Sequence, residues 1–158
     1  MIHKIVACAV FLTATPAVAG IPLWDKIEAD MPFATAKELY PAAHVYSGKG
    51  LFRPMLSLRE HKIGDCEASV DILIDRKVAD PEAKVEGVRL TGDGCDSKMF
   101  NALLARYGEP SDATNDHKDK QKTARWVSEG KSITFRRDGS GWVDTWELNY
   151  TPIKDLGL

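Results

Sequence analysis

The sequence predicts an α+β fold: two α-β-β-β units forming one antiparallel sheet, with the helices packed on one face. Three observations carry this. Residues Cys66 to Asp75 alternate apolar and polar with the period of a half-buried strand. Residues Ser97 to Tyr107 place Phe100, Leu103, Leu104 and Tyr107 at helical spacing, closed by Gly108 and Pro110. The order helix, three strands, helix, three strands then reads as a coarse duplication of pattern.

Residues 1–19 stand apart. Lys4 gives a basic start, Ile5 to Leu12 form a short apolar centre, and Ala17-Val18-Ala19 precede Gly20. That is the pattern of a secretory signal peptide cut between Ala19 and Gly20. The apolar run is too short for a membrane span, which needs about 20 residues. The expected product is residues 20–158, a single domain exported to the periplasm or secreted. It has no membrane anchor, because Gly20 stands where a lipoprotein carries its cysteine.

The first element is a short helix from Pro22 to Ile27, with Leu23, Trp24 and Ile27 on one side, ended by Met31-Pro32. Thr35-Ala36-Lys37-Glu38 offers a capping box for a second short helix that runs to Tyr40 before Pro41. Residues 41–52 contain Pro, Ser and two Gly and read as loop. Met55 to Arg59 is the first strand, with Pro54 at its start. In the second, Cys66 to Asp75, Ala68, Val70, Ile72 and Ile74 share a face. After the Asp80-Pro81 turn, Val85 to Thr91 pairs with it as an antiparallel hairpin. The long helix follows, with Asp96 or Ser97 as N-cap.

Ser111 to Thr123 has only Ala113 to bury and reads as a mobile, dispensable linker. The last strands are Ala124–Ser128, Ser132–Arg137 and Trp142–Tyr150, joined by turns at Glu129-Gly130 and Asp138-Gly139-Ser140-Gly141. The last places Trp142, Trp146, Leu148 and Tyr150 on one face.

Composition narrows function. Lys4 is the only base in the leader and no acid lies there. This leaves 20 bases against 23 acids and a net charge of −3. Without a basic face or polybasic stretch, nucleic acid is not an expected partner, nor is anionic lipid. Cys8 leaves with the leader, and an even pair, Cys66 and Cys95, remains. In an oxidising compartment this suggests a disulfide. Cys66 has the parity of Val70 and Ile72, which pair with Val88 and Leu90, whereas Cys95 has the opposite parity. The bridge therefore closes the open end of the hairpin, with Gly92 and Gly94 letting the chain turn.

Candidate chemistry is sparse. Asn115, Asp116, His117 and Asp119 could hold a metal, but interleaved lysines repel one. Asp93-Gly94-Cys95-Asp96 lacks the spacing of a calcium loop. His44 and His61 lie near no nucleophile motif, and Ser47-Gly48-Lys49-Gly50 fails the phosphate-loop spacing. Trp24, Trp126, Trp142 and Trp146 read as core rather than a ligand cage. No catalytic residue, metal or cofactor is assigned, and the chain does not read as an enzyme.

Helix plus three strands, doubled and exported, with Leu103-Leu104-Ala105-Arg106-Tyr107-Gly108-Glu109-Pro110 closing the second helix, resembles two groups of small periplasmic modules. These are the β-lactamase inhibitor proteins and the BamE-type lipoprotein of outer-membrane barrel assembly. The resemblance spans residues 22–151 in architecture. It implies a module that binds another protein and catalyses nothing. The lipidation cysteine is absent, and no inhibitor contact residues carry over.

The expected function is therefore an exported protein-interaction module, inhibitor-like or an envelope-assembly accessory, whose partner is an envelope or periplasmic protein. The alternatives are a carrier of a small apolar ligand or an unrecognised hydrolase. The expected contact surface is the sheet face opposite the helices: Ser57, Arg59, Asp71, Leu73, Arg89, Arg125, Val127, Arg136, Thr145 and Glu147 by alternation. Four of its members, Arg59, Arg89, Arg125 and Arg136, are of a type enriched at interfaces.

Overall fold

The computed structural model describes residues 20–46, 55–75, 82–116, 120–139 and 144–154. The expected signal peptide lies outside these residues, as do Ser47 to Pro54, the Asp80-Pro81 turn, His117, Asp119, Ser140, Gly141 and Trp142.

The chain runs β1 (Pro22–Trp24), β2 (Ile27–Glu28), α1 (Phe33–Leu39), β3 (His44–Tyr46), β4 (Met55–Ile63), β5 (Cys66–Ile74) and β6 (Val85–Asp93). It continues through α2 (Asp96–Tyr107), β7 (Asp112–Asp116), β8 (Gln121–Ser128), β9 (Lys131–Asp138) and β10 (Thr145–Pro152). Strands hold 58% of the described residues and helix 17%, which overturns the α+β expectation of two α-β-β-β units. The protein is mostly β, built on one eight-stranded antiparallel sheet in the order β3-β4-β5-β6-β10-β9-β8-β7. Each helix is followed by four strands rather than three. The two added strands, β3 and β7, form the edges of the sheet.

The first segment, expected to be helical, is a β-hairpin: Pro22 pairs with Glu28 and Trp24 with Ile27. Its turn is set by Asp25, which adopts the left-handed conformation at φ 47°. Helix α1 begins at Phe33, ahead of the expected capping box, with Pro32 at its N-cap and no side-chain cap. An isolated bridge between Pro32 and Lys84 replaces that box, and the Phe33 amide donates to the Ala83 carbonyl at 2.7 Å. Helix α2 is likewise capped by Cys95, not by Asp96 or Ser97.

The β5–β6 hairpin has the expected register: Val70 faces Leu90 and Ile72 faces Val88. Cys66 and Cys95 are joined, with Cα atoms 6.0 Å apart, and close its open end. Gly94 and Cys95 both take positive φ, 60° and 61°, which swings Cys95 back toward the start of β5.

Alternation puts one face of the sheet into the core. One row across it is Leu56, Ile72, Val88, Tyr150, Ile133 and Trp126, all buried. Helix α2 covers this face, with the Phe100 ring 6.0 Å from Trp126 and 5.7 Å from Phe135. The β1–β2 hairpin lies beside it: Trp24 stacks on Tyr40, meets His61 edge-on, and β1 runs against β6 and β10. Trp126 and Trp146 are core residues, and the Trp126 indole donates to the Gly108 carbonyl at 2.8 Å.

Lys131 is buried, its ammonium donating to the Pro22 carbonyl at 2.7 Å and to Glu129 at 3.0 Å. It ties the N-terminal hairpin to β9. A buried ammonium needs such partners, and Lys131 in turn holds the Glu129 carboxyl below its usual range.

Ser111 to Thr123 is not a bare linker: it contains all of β7 and the start of β8. All five β7 residues are exposed, so the strand is held by its ladder to β8 and not by burial. A hydrophobic pattern has no means of marking such a strand.

Candidate protein-binding face

The positions expected on the helix-free face do lie there. Ser57, Asp71, Arg89, Asn149, Thr134 and Arg125 form one row across six strands. The neighbouring row is Ser69, Thr91, Glu147, Arg136, Thr123 and Thr114. Arg59 belongs to a β-bulge between Leu58 and His61, where Glu60 takes φ 54°. The Arg59 guanidinium reaches the same face, donating to Ser69 Oγ at 3.3 Å and to the Tyr46 hydroxyl at 3.4 Å. That Tyr46 contact raises the pKa of Arg59 above its ordinary value.

The two ends of this face differ. Toward β4 and β5 it is covered: Ser57 is 2% exposed and Asp71 8%. Asp71 accepts from Arg89 at 2.8 Å, a half-buried pair that neutralises both charges. Ser57 Oγ and Arg89 Nε are buried without a hydrogen-bond partner among the described residues. Asp71 and Ser57 are thus part of the packed sheet and are not presented outward, contrary to the expected open surface.

Toward β8, β9 and β10 the face is open. Arg125 and Arg136 are exposed on adjacent strands, in adjacent rows. Arg136 donates to Gln121 Oε1 at 2.8 Å, and Gln121 donates to Asp138 at 3.4 Å. Glu147, half-buried, accepts from Asn149 at 2.7 Å. Val127 projects here with 61% of its surface exposed. Between β5 and β9 lies a polar hollow of about 660 Å³, lined by the carboxylates of Glu60, Glu67, Asp93, Asp138 and Glu147 and by Arg136. Of the six residues singled out in the sequence, Arg136 and Glu147 are cross-strand partners that both line this hollow, and Arg125 lies in the adjacent row. Arg89 and Asp71 are spent on each other, and Arg59 sits at the bulge.

On the opposite face, Arg137 joins the start of α2 to the chain before β10. Its Nη2 donates to Asp144 at 2.5 Å. Its Nε lies 2.9 Å from Asp96, an ion pair by distance whose N–H is not aligned as a hydrogen bond. Asp144 and Asp96 raise the Arg137 pKa.

Of the other candidates, His44 packs edge-on against Tyr46 and His61 against Trp24. Asn115 and Asp116 sit on β7, while His117 and Asp119 lie outside the described residues. Among the described residues no group of three His, Cys, Asp or Glu side chains is placed to hold a metal ion. No described helix is long and apolar enough to cross a membrane. Sequence reasoning missed the cleft between α2 and β7, which depends on an edge strand without hydrophobic signal.

No family model matches the chain, and neither a curated protein nor a solved structure matches it.

Proposed function

We propose that this is an exported, non-catalytic protein-binding module whose contact surface is the open half of the helix-free sheet face. The leader-like residues 1–19 support export. The observation that carries the surface is the placement of Arg125 and Arg136, exposed on neighbouring strands beside the exposed Val127. A rigid sheet presents these side chains at fixed spacing, and planar guanidinium groups pair with carboxylates and stack on aromatic rings. An envelope or periplasmic protein that sets carboxylate or aromatic groups against the two guanidinium groups and basic groups against the adjoining acidic hollow is the fitting partner. The reading gives no role to a cofactor or metal.

The test is the Arg125→Ala/Arg136→Ala double variant of the tagged chain. Both side chains project from the surface, so the thermal midpoint should stay near that of the unaltered protein. Capture of a copurifying envelope protein should fall. Undiminished capture by the folded double variant would move the interface off this face.

A further inference from the structure

We propose that the β7 edge and the cleft beside α2 form a second docking site, for an extended polypeptide strand in which basic and apolar side chains alternate. This site adjoins the open sheet face, with Asp112 facing Arg125 across the β7–β8 ladder, but it is centred on the strand edge and the cleft on the opposite face.

Strand β7 is last in the sheet, so one of its edges has no neighbouring strand among the described residues. An edge of this kind presents backbone N–H and C=O groups that an added strand satisfies. Its five residues are all exposed. The two faces of the strand differ. Asp112 and Thr114 align with Arg125 and Thr123 on the helix-free face, while Ala113 aligns with Ala124 and Phe135 on the helix face.

On that helix face, α2 leaves a cleft of about 380 Å³ between itself and β7–β9. Phe100, Ala113, Ala124 and Phe135 supply its apolar surface, and the charged Lys122, Arg137 and Asp96 also line it, the last two as an ion pair. Ala113 keeps the cleft open because its methyl group occupies little of it. An incoming strand paired to β7 must send alternate side chains to opposite faces. Those turned to the helix face project over Ala113 toward Phe100 and are best apolar. Those turned to the other face meet Asp112, where a lysine or arginine forms a cross-strand pair of opposite charge.

The same charges argue against a second copy as the occupant. Antiparallel self-pairing centred on Thr114 sets Asp112 of each copy against Asp116 of the other. Like charges directly opposite destabilise a ladder.

The experiment uses residues 20–158 and a short fluorescein-labelled peptide of alternating lysine and valine, followed by anisotropy and by amide hydrogen exchange. Controls are the corresponding glutamate–valine peptide and a lysine–valine peptide N-methylated at alternate backbone nitrogens. The lysine–valine peptide should bind and slow exchange within Asp112–Asp116. N-methylation should weaken binding about tenfold or more, because the side chains remain while backbone donors are lost. Asp112→Asn and Ala113→Trp should each weaken it, the first by removing the charge without setting a cation opposite Arg125 and the second by filling the cleft. Both positions are exposed, so both variants should fold. Arg136→Ala, on β9 and paired with Thr123 and Glu147 rather than with β7, should bind the peptide as the unaltered protein does, which separates this site from the open face. Equal binding of the N-methylated peptide would overturn the proposal, as would protection confined to β9 and β10, or no binding. A concentration-dependent dimer with β7 protected in the absence of peptide would assign the edge to self-association instead.

Discussion

Removing the Cys66–Cys95 bridge should cost several kcal/mol of stability, almost all of it through the unfolded chain. The cross-link spans 29 residues, and in the chain-entropy model a loop of that length gives roughly 12 cal/mol/K, or about 3.6 kcal/mol at room temperature. At roughly 2.1 cal/mol/K of unfolding entropy per residue, residues 20–158 carry about 0.3 kcal/mol/K, so the midpoint should fall by about 12 °C. The native state offers little to offset this, since the β5–β6 ladder and helix α2 hold both cysteines in place without the bond. Two perturbations separate cross-link from packing. Reduction of the unaltered protein keeps both sulfur atoms, whereas Cys66→Ala/Cys95→Ala also removes buried volume at Cys66. Their common loss, read by urea titration, is the cross-link contribution. The urea m-value should rise in both, because an uncrosslinked unfolded chain exposes more surface. A loss under about 1 kcal/mol with an unchanged m-value would refute the reasoning and point to a denatured state already compact around the hairpin.

Gly92→Ala should destabilise by about 1–3 kcal/mol, the range for overpacking. A Cβ there would stand 2.6 Å from Trp146 Cζ2 and 2.9 Å from the Glu67 carbonyl oxygen, and neither a core indole nor a central strand can retreat. Denaturant titration and the near-ultraviolet circular dichroism of the tryptophans read this, and a neutral result would mean that the β5–β6–β10 packing is looser than described. A second expectation concerns alkaline pH. Burial, then the neighbouring Tyr107, pushes the Tyr150 hydroxyl well above its ordinary value, so the folded state favours the neutral phenol. A raised folded pKa means that this stabilisation is fully present below about pH 10 and is lost as pH rises toward the folded value. Stability should therefore decline above about pH 10, and Tyr150→Phe should flatten that decline; an identical alkaline slope in the variant would remove Tyr150 from the cause.

Legibility in the sequence followed burial. Strands β5 and β6 read correctly, down to which residues face each other, because Val70, Ile72, Val88 and Leu90 alternate against one core. Helix α2 read correctly because its apolar stripe is bounded by Gly108 and Pro110. The N-terminal hairpin did not, since Leu23, Trp24 and Ile27 fit one side of a helix as well as they fit β1 and β2. A left-handed Asp25 decided between them, and no hydrophobic period announces that. Strands β3 and β7 were invisible for another reason. Their stability resides in partners, and β7 buries nothing of its own. The count of three strands per unit, and with it the α+β class, failed at those two edges. The same division holds at the candidate site. Side-chain parity was legible, so Arg125, Arg136 and Glu147 were placed on a common face. The burial of Ser57 and Asp71 was not, because it depends on the neighbours assembled around them, including the Arg89 pair.

The strand order also has a kinetic consequence. Strands β3 to β6 and β7 to β10 are two meanders of hairpins between sequence neighbours, each quick to form. They meet at a single seam, the ladder of Val88–Asp93 with Thr145–Tyr150, and α2 joins them along the chain. That ladder spans the longest separation in the sheet, so it should close last. Until it does, β6 and β10 are bare inner edges carrying Val88, Leu90, Trp146 and Leu148, whereas the outer rims are short at β3 or acidic at β7. The hazard of misassembly therefore sits at the molecule's centre, where two half-folded chains can exchange meanders across the seam and close it between copies.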